Sequence, residues 1–83
     1  MIDGDWCSPD GTRYFRISGP SVTSSDGYRT TGNYTRHAFS YVVPENEPGA
    51  GDQFSMLLLN EEQVNISVNG GAAETWHRCQ LNV

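Results

Sequence analysis

The stretch Val64-Asn65-Ile66-Ser67-Val68-Asn69-Gly70-Gly71 decides the fold class. Its apolar residues recur at every second position, the period of a strand with one buried and one wet face. It then runs into Asn-Gly, the pair that tolerates the positive φ angles of a tight hairpin turn. Val64, Ile66 and Val68 therefore share the inward face, opposite Asn65 and Ser67.

Other segments show the same alternation. In Arg13 to Ser18, Phe15 and Ile17 oppose Tyr14, Arg16 and Ser18. Tyr34 to Val43 reads as one longer strand, with His37, Phe39, Tyr41 and Val43 on the aromatic, inward face and Tyr34, Arg36, Ala38, Ser40 and Val42 on the other. Gln53 to Leu59 has the Met and Leu content of a short helix. Turn signals bracket it and a clear strand follows at once, so a buried strand is the better reading.

Turn-forming residues separate these runs at intervals of roughly 8 to 12 residues, the spacing of a meander or barrel. They are Ser8-Pro9-Asp10-Gly11, Gly19-Pro20, Ser24-Ser25-Asp26-Gly27, Thr31-Gly32-Asn33, Pro44 to Asp52 and Asn60-Glu61-Glu62. Short pieces at Asp5 to Cys7, Val22-Thr23, Tyr28 to Thr30 and Thr75 to Cys79 bring the count to seven or eight strands. No window supports a well-capped helix of ten residues or more. So many short strands in 83 residues must close on themselves or form two packed sheets, because open edges invite aggregation. The expected fold is a single all-β domain over residues 1–83, an antiparallel meander closed into a barrel or a two-sheet sandwich, without substantial helix.

Ten acidic residues face five Arg and no Lys, giving a net charge of −5. Such a surface repels phosphate backbones and anionic head groups, so neither nucleic acid nor a membrane surface is an expected partner. The longest apolar run, Met56 to Leu59, falls far short of the roughly 20 residues of a membrane helix.

Cys7 and Cys79 stand near the two ends of the chain, where a cross-link would tie the first strand of a closed sheet to the last. A disulfide there implies an oxidising, extracytoplasmic compartment, periplasmic or secreted. Met1-Ile2-Asp3-Gly4 runs directly into the first strand without the basic and apolar regions of a signal peptide, so the expected exported species is a mature chain.

The residues that carry chemistry are few. His37 and His77 are the neutral-pH acid/base candidates, and their spacing provides no pairing with each other or with a carboxylate. Distant single Cys and His residues do not make a zinc set. Glu45, Glu47 and Asp52 lie in the Pro44 to Asp52 segment without the alternating ligand pattern of a calcium loop, which reads instead as a proline-stiffened hairpin connection. No catalytic residue, metal or cofactor is expected.

Gly4-Asp5-Trp6 resembles the Gly-X-Trp that opens the first strand of lipocalins and related calycin barrels, in which an Arg on a late strand stacks on that Trp. Arg78 is placed for that part. The resemblance implies a closed up-and-down barrel with Trp6 and Arg78 packing at one end; the chain has about half a lipocalin's length. In size, acidity and cysteine usage it is also similar to small exported β-barrels that inhibit lysozyme, although none of its segments matches an inhibitory motif.

Two functional expectations follow. The first is a non-enzymatic binding or inhibitor module for a macromolecule, a basic protein by charge, with Glu45, Glu47, Asp52 and exposed Tyr28 and Tyr34 as contacts. The alternative is a lipocalin-like binder of a small apolar ligand, held in a cavity lined by Phe15, Phe39, Tyr41, Met56, Leu58 and Ile66.

Overall fold

Alternation along each strand gives the sheet one apolar face, and a sheet this small can bury that face only by curling around it. The computed structural model, which describes residues 1–79, has that form. Nine antiparallel strands, β1 (Gly4–Cys7), β2 (Tyr14–Ser18), β3 (Ser21–Ser24), β4 (Arg29–Thr31), β5 (Asn33–Tyr34), β6 (Ala38–Val42), β7 (Gln53–Asn60), β8 (Gln63–Val68) and β9 (Glu74–Arg78), make one sheet. Their order is β4-β3-β2-β1-β9-β8-β7-β6-β5, and the described residues contain no helix.

This order joins two local meanders, β1 to β4 and β5 to β9, by pairing the first strand with the last. That junction is short, with Trp6 opposite Arg78 and Cys7 opposite His77. On the outside of the barrel the Cys7 and Cys79 sulfurs stand 2.01 Å apart, at disulfide distance, and the Cys79 amide donates to the Asp5 carbonyl at 3.0 Å.

On the far side of the barrel the two meanders meet again through the chain itself. β4 and β5 are separated only by Gly32; β4 pairs with β3, and β5 pairs with β6. One extended segment thus changes partner halfway along, leaving the sheet nearly closed. Gly32 makes this possible by lying flat on β6. A Cβ there would fall inside contact distance of the Ser40 carbonyl oxygen and 2.8 Å from both the Phe39 ring and the Tyr41 Cβ.

The interior is full. Ile2, Trp6, Phe15, Ile17, Val22, Tyr28, Phe39, Tyr41, Val43, Met56, Val64, Ile66 and Trp76 are buried in one cluster. Its rings pack in pairs, Phe15 stacked on Trp76 at 5.1 Å and Tyr41 on Phe54 at 5.3 Å between centroids. Phe15, Phe39, Tyr41, Met56, Leu58 and Ile66, the lining expected of a ligand cavity, belong to this packing or lie against it.

Several expectations are corrected. Tyr34 to Val43 is not one strand, which is why there are nine strands where seven or eight are expected. The Thr35 hydroxyl accepts from the Ala38 amide at 3.0 Å, and the Thr35 amide donates to the Ala38 carbonyl at 2.8 Å, folding a hairpin at Thr35 to His37. A hairpin changes parity. Tyr34 and Phe39, on opposite faces of a continuous strand, become direct partners on the same inward face, and His37 is left exposed in the turn.

Tyr28 is buried instead of exposed, its hydroxyl bonded to that of Tyr41 at 2.8 Å. Tyr34 is half-buried, its hydroxyl donating to the Asp3 carboxylate. β7 is half-buried and not wholly so: Leu57 and Leu59 face outward, and Val68 sits exposed at the rim.

Two outcomes are expected. Gly32→Ala should destabilise the fold by about 2 kcal/mol or more in urea unfolding, because the methyl group must displace main chain. Unreduced native protein should resist alkylation, then take up two labels after reduction, with a loss of about 4 kcal/mol for the 72-residue closure. Two accessible thiols in the native protein would refute the cross-link.

Candidate functional site

The two ends of the barrel are built differently. One is covered by the N-terminal segment. The Ile2 amide donates to the Arg36 carbonyl across the β5–β6 turn, and Trp6 Nε1 donates to the Ile2 carbonyl, both at 2.8 Å. Arg78 locks this cover in place. Its guanidinium carbon lies 4.0 Å from the centre of the Trp6 ring, Nε donates to the Glu61 carbonyl at 2.7 Å, Nη2 donates to the Met1 carbonyl at 2.8 Å, and Nη1 donates to the Asp3 carbonyl.

The Gly-X-Trp spacing has a local reason here. Gly4 has φ near 125°, and a Cβ on it would sit 2.5 Å from Arg78 Nη1. A side chain at position 4 would therefore push the guanidinium off its three carbonyls. Every contact that Trp6 and Arg78 make is internal, so the pair is architecture.

The opposite end is open and edged by four loops: Ser8 to Arg13, Ser25 to Tyr28, Val43 to Asp52 and Asn69 to Ala73. These loops and their flanks bring Asp10, Asp26, Glu45, Glu47, Asp52 and Glu74 together, against Arg13 and Arg29. Six of the ten carboxylates thus collect at one end.

Each loop is held by its own hydrogen bonds. Asp10 Oδ1 accepts from the Ser8 hydroxyl at 2.7 Å, the Thr12 hydroxyl at 2.8 Å and the Thr12 amide at 3.0 Å. Those donors, Ser8 first, pull the Asp10 carboxyl from its ordinary 3.8 down to about 2. In the long loop the Ala50 amide donates to Glu47, the Asp52 amide to Gly49 and the Gly51 amide to Val43, while Asn69 Nδ2 ties the Asp52 carboxylate to the neighbouring turn at 3.1 Å. Glu45 is exposed; Glu47 and Asp52 are half-exposed.

Three clefts open at or beside this end, the smallest, of about 140 Å³, lying between Asp10, Arg13 and Glu74. A second, of about 240 Å³, has an aromatic floor of Phe54 and Trp76 and a rim of Arg13, Val68, Ala72 and Glu74. Arg13 stands 5.1 Å from the centre of the Trp76 ring, and Trp76 Nε1 donates to Glu74 Oε1 at 2.8 Å. Sequence reading missed this cluster, although Glu74 and Trp76, two apart on one strand, had to share a face. The third cleft, of about 380 Å³, follows the β4–β6 seam and is lined by Thr31, Gly32, Asn33, Ser40, Tyr41, Val42 and Gln53.

Of the expected contact residues, Glu45, Glu47 and Asp52 are in one loop at the open end. Tyr28 points into the core beneath that loop, where burial and the Tyr28 bond push the Tyr41 hydroxyl far above its ordinary value. Tyr34 lies towards the covered end. There its bond to Asp3 raises the Tyr34 hydroxyl, and with the Gly19 amide it lowers the Asp3 carboxyl. His37 in its turn and His77 on the outer face of β9 are both exposed and belong to different elements. Among the described residues no three His, Cys, Asp or Glu side chains are grouped to hold a metal ion, and no helix is long and apolar enough to cross a membrane. Compared with models of protein families, with curated proteins and with solved structures, the chain matches none.

The depressed carboxyls fix the direction of acid sensitivity. A group whose folded pKa lies below its unfolded one stabilises the fold above the unfolded value, and that contribution disappears as pH falls through the folded value. For Asp10 the window runs from about pH 4 down to about 2. Asp10→Asn should lower the thermal midpoint at pH 6, and the gap to the unmodified protein should close near pH 2; a gap independent of pH would refute the assignment.

Proposed function

We propose that the protein is an extracytoplasmic, non-enzymatic binding module that recognises a basic protein through the open, acidic end of its barrel. The observation that carries this reading is the asymmetry of charge: six carboxylates stand at one end on the loops and their flanks, with only Arg13 and Arg29 among them, and Arg13 already faces Glu74 at 3.5 Å. Such a surface attracts a cationic partner at a distance and orients it on approach.

The rest of the molecule supports binding over chemistry. The two imidazoles are exposed and, among the described residues, neither is hydrogen-bonded to a carboxylate. The interior favours a surface function over carriage of a small apolar ligand, since the side chains that would line a cavity lie against one another. The cross-strand cysteine pair suits an oxidising compartment.

Capture from a native extract at low salt, repeated at about 0.5 M salt where charges are screened beyond roughly 4 Å, tests the proposal. A basic protein should be retained only at low salt, and Glu45→Lys with Glu47→Lys should abolish its retention without lowering the thermal midpoint. Retention that ignores both salt and the charge reversal would sink it.

A further inference from the structure

Among the described residues, the seam beside the acidic loop is a stretch where β4 and β6 are neighbours without a ladder between them. The β3–β4 ladder shows the alternation: the Ser24 amide donates to the Tyr28 carbonyl and the Gly32 amide to the Pro20 carbonyl, so Thr30 faces Val22, and the main-chain groups of Arg29 and Thr31 face away from β3. On β6 the Val43 amide donates to Asp52 and the His37 carbonyl accepts from Leu58, so Phe39 and Tyr41 bond towards β7. Ser40 bonds towards Asn33 on β5. Val42 is next on that side, two residues beyond the last position that β5 covers.

The N–H and C=O of Val42 therefore open into the 380 Å³ cleft, whose far wall is Thr31. Its side chain is 55% exposed, an apolar anchor beside free donors and acceptors. Tyr41, which lines the cleft, bonds through its hydroxyl to the buried Tyr28. An unpaired strand edge of this kind is a template for a further strand.

We propose that an extended basic segment of the partner docks here by strand addition along Val42, in the gap between β4 and β6. This rests on the reading of a basic partner given above and says how that partner is held. Charge decides the occupant. The edge runs straight into Pro44 to Asp52 with Glu45, Glu47 and Asp52, and Asp26 stands on the adjoining turn, with Arg29 the one cation on β4. A second copy would set these carboxylates against their like; a Lys- or Arg-bearing strand would neutralise them while its amides pair with Val42 and Thr31.

The probe is a fluorescein-labelled octapeptide of alternating Lys and Val, compared with a Glu-for-Lys version and with one N-methylated at alternate residues. The Lys peptide should bind, shift the amide resonances of Thr31 and Val42 and protect them from exchange. The Glu and N-methylated peptides should bind at least about ten-fold more weakly, the order expected when charge or a set of strand hydrogen bonds is lost. Val42→Pro, which deletes only an N–H that faces away from β7, should weaken the Lys peptide about five-fold or more. If that variant fails to fold, the N-methylated peptide decides alone. Equal binding of the methylated peptide, or shifts confined to Glu45 and Glu47, would overturn strand addition and leave the acidic-end reading standing. Failure of the peptide to bind while a basic protein is still captured has the same meaning, and failure of both removes both.

Discussion

Two ladder positions carry the topology of this protein. The chain is a pair of meanders, each built from hairpins between sequence neighbours, and the pairing of Trp6 with Arg78 and Cys7 with His77 turns them into one curved sheet around a common core. Local hairpins form with little loss of chain entropy, whereas this junction must bring together residues some seventy positions apart. Several contacts meet at this one place: the cysteine pair outside, the Trp6–Arg78 stack inside, and three main-chain carbonyls accepting from the guanidinium. The cysteine cross-link is the largest of these contributions, and all of them act on a single closure.

The other meeting of the two meanders is weaker by construction. Gly32 lets one segment leave β3 and join β6, and the change of partner leaves Arg29 and Thr31 paired only with β3 and Val42 paired only with β7. On the inward side, the buried Tyr28 and Tyr41 are joined by their hydroxyls. The barrel thus has a firmly bound seam and an open one, and the open one lies next to the most acidic loop. That coincidence of free edge and charge is what the proposed docking of a basic partner rests on.

Much of this was legible from residue order. Alternation identified β2 and β8, bracketing turn signals identified β7, glycine-rich and Asn-rich turns marked most boundaries, and the resemblance of Gly4-Asp5-Trp6 and Arg78 to calycin barrels implied that Trp6 and Arg78 pack at one end. The hairpin at Thr35 to His37 was not legible, since a run of alternating residues has the same period whether or not it folds back in the middle. The side-chain bond from Thr35 to Ala38 that folds it is a local hydrogen bond, which periodicity does not register. Tyr28 and Tyr34 were misjudged for a related reason: a Tyr at a turn or on a short edge piece is equally at home wet or buried, and its burial depended on hydroxyl partners from other strands, Tyr41 and Asp3.

By itself, then, the sequence determined the class of the fold, the number of its turns to within one, and the inward face of the clearly alternating strands, because period and turn chemistry are properties of neighbours along the chain. Tertiary structure alone decided that the inward rings pack against one another, that six of the ten carboxylates collect at one end, and that β4 and β6 form no ladder beside them. Those outcomes depend on which strands meet across the barrel and in what register. Register between distant strands is settled by the fit of the whole core and leaves no mark in any single stretch of sequence.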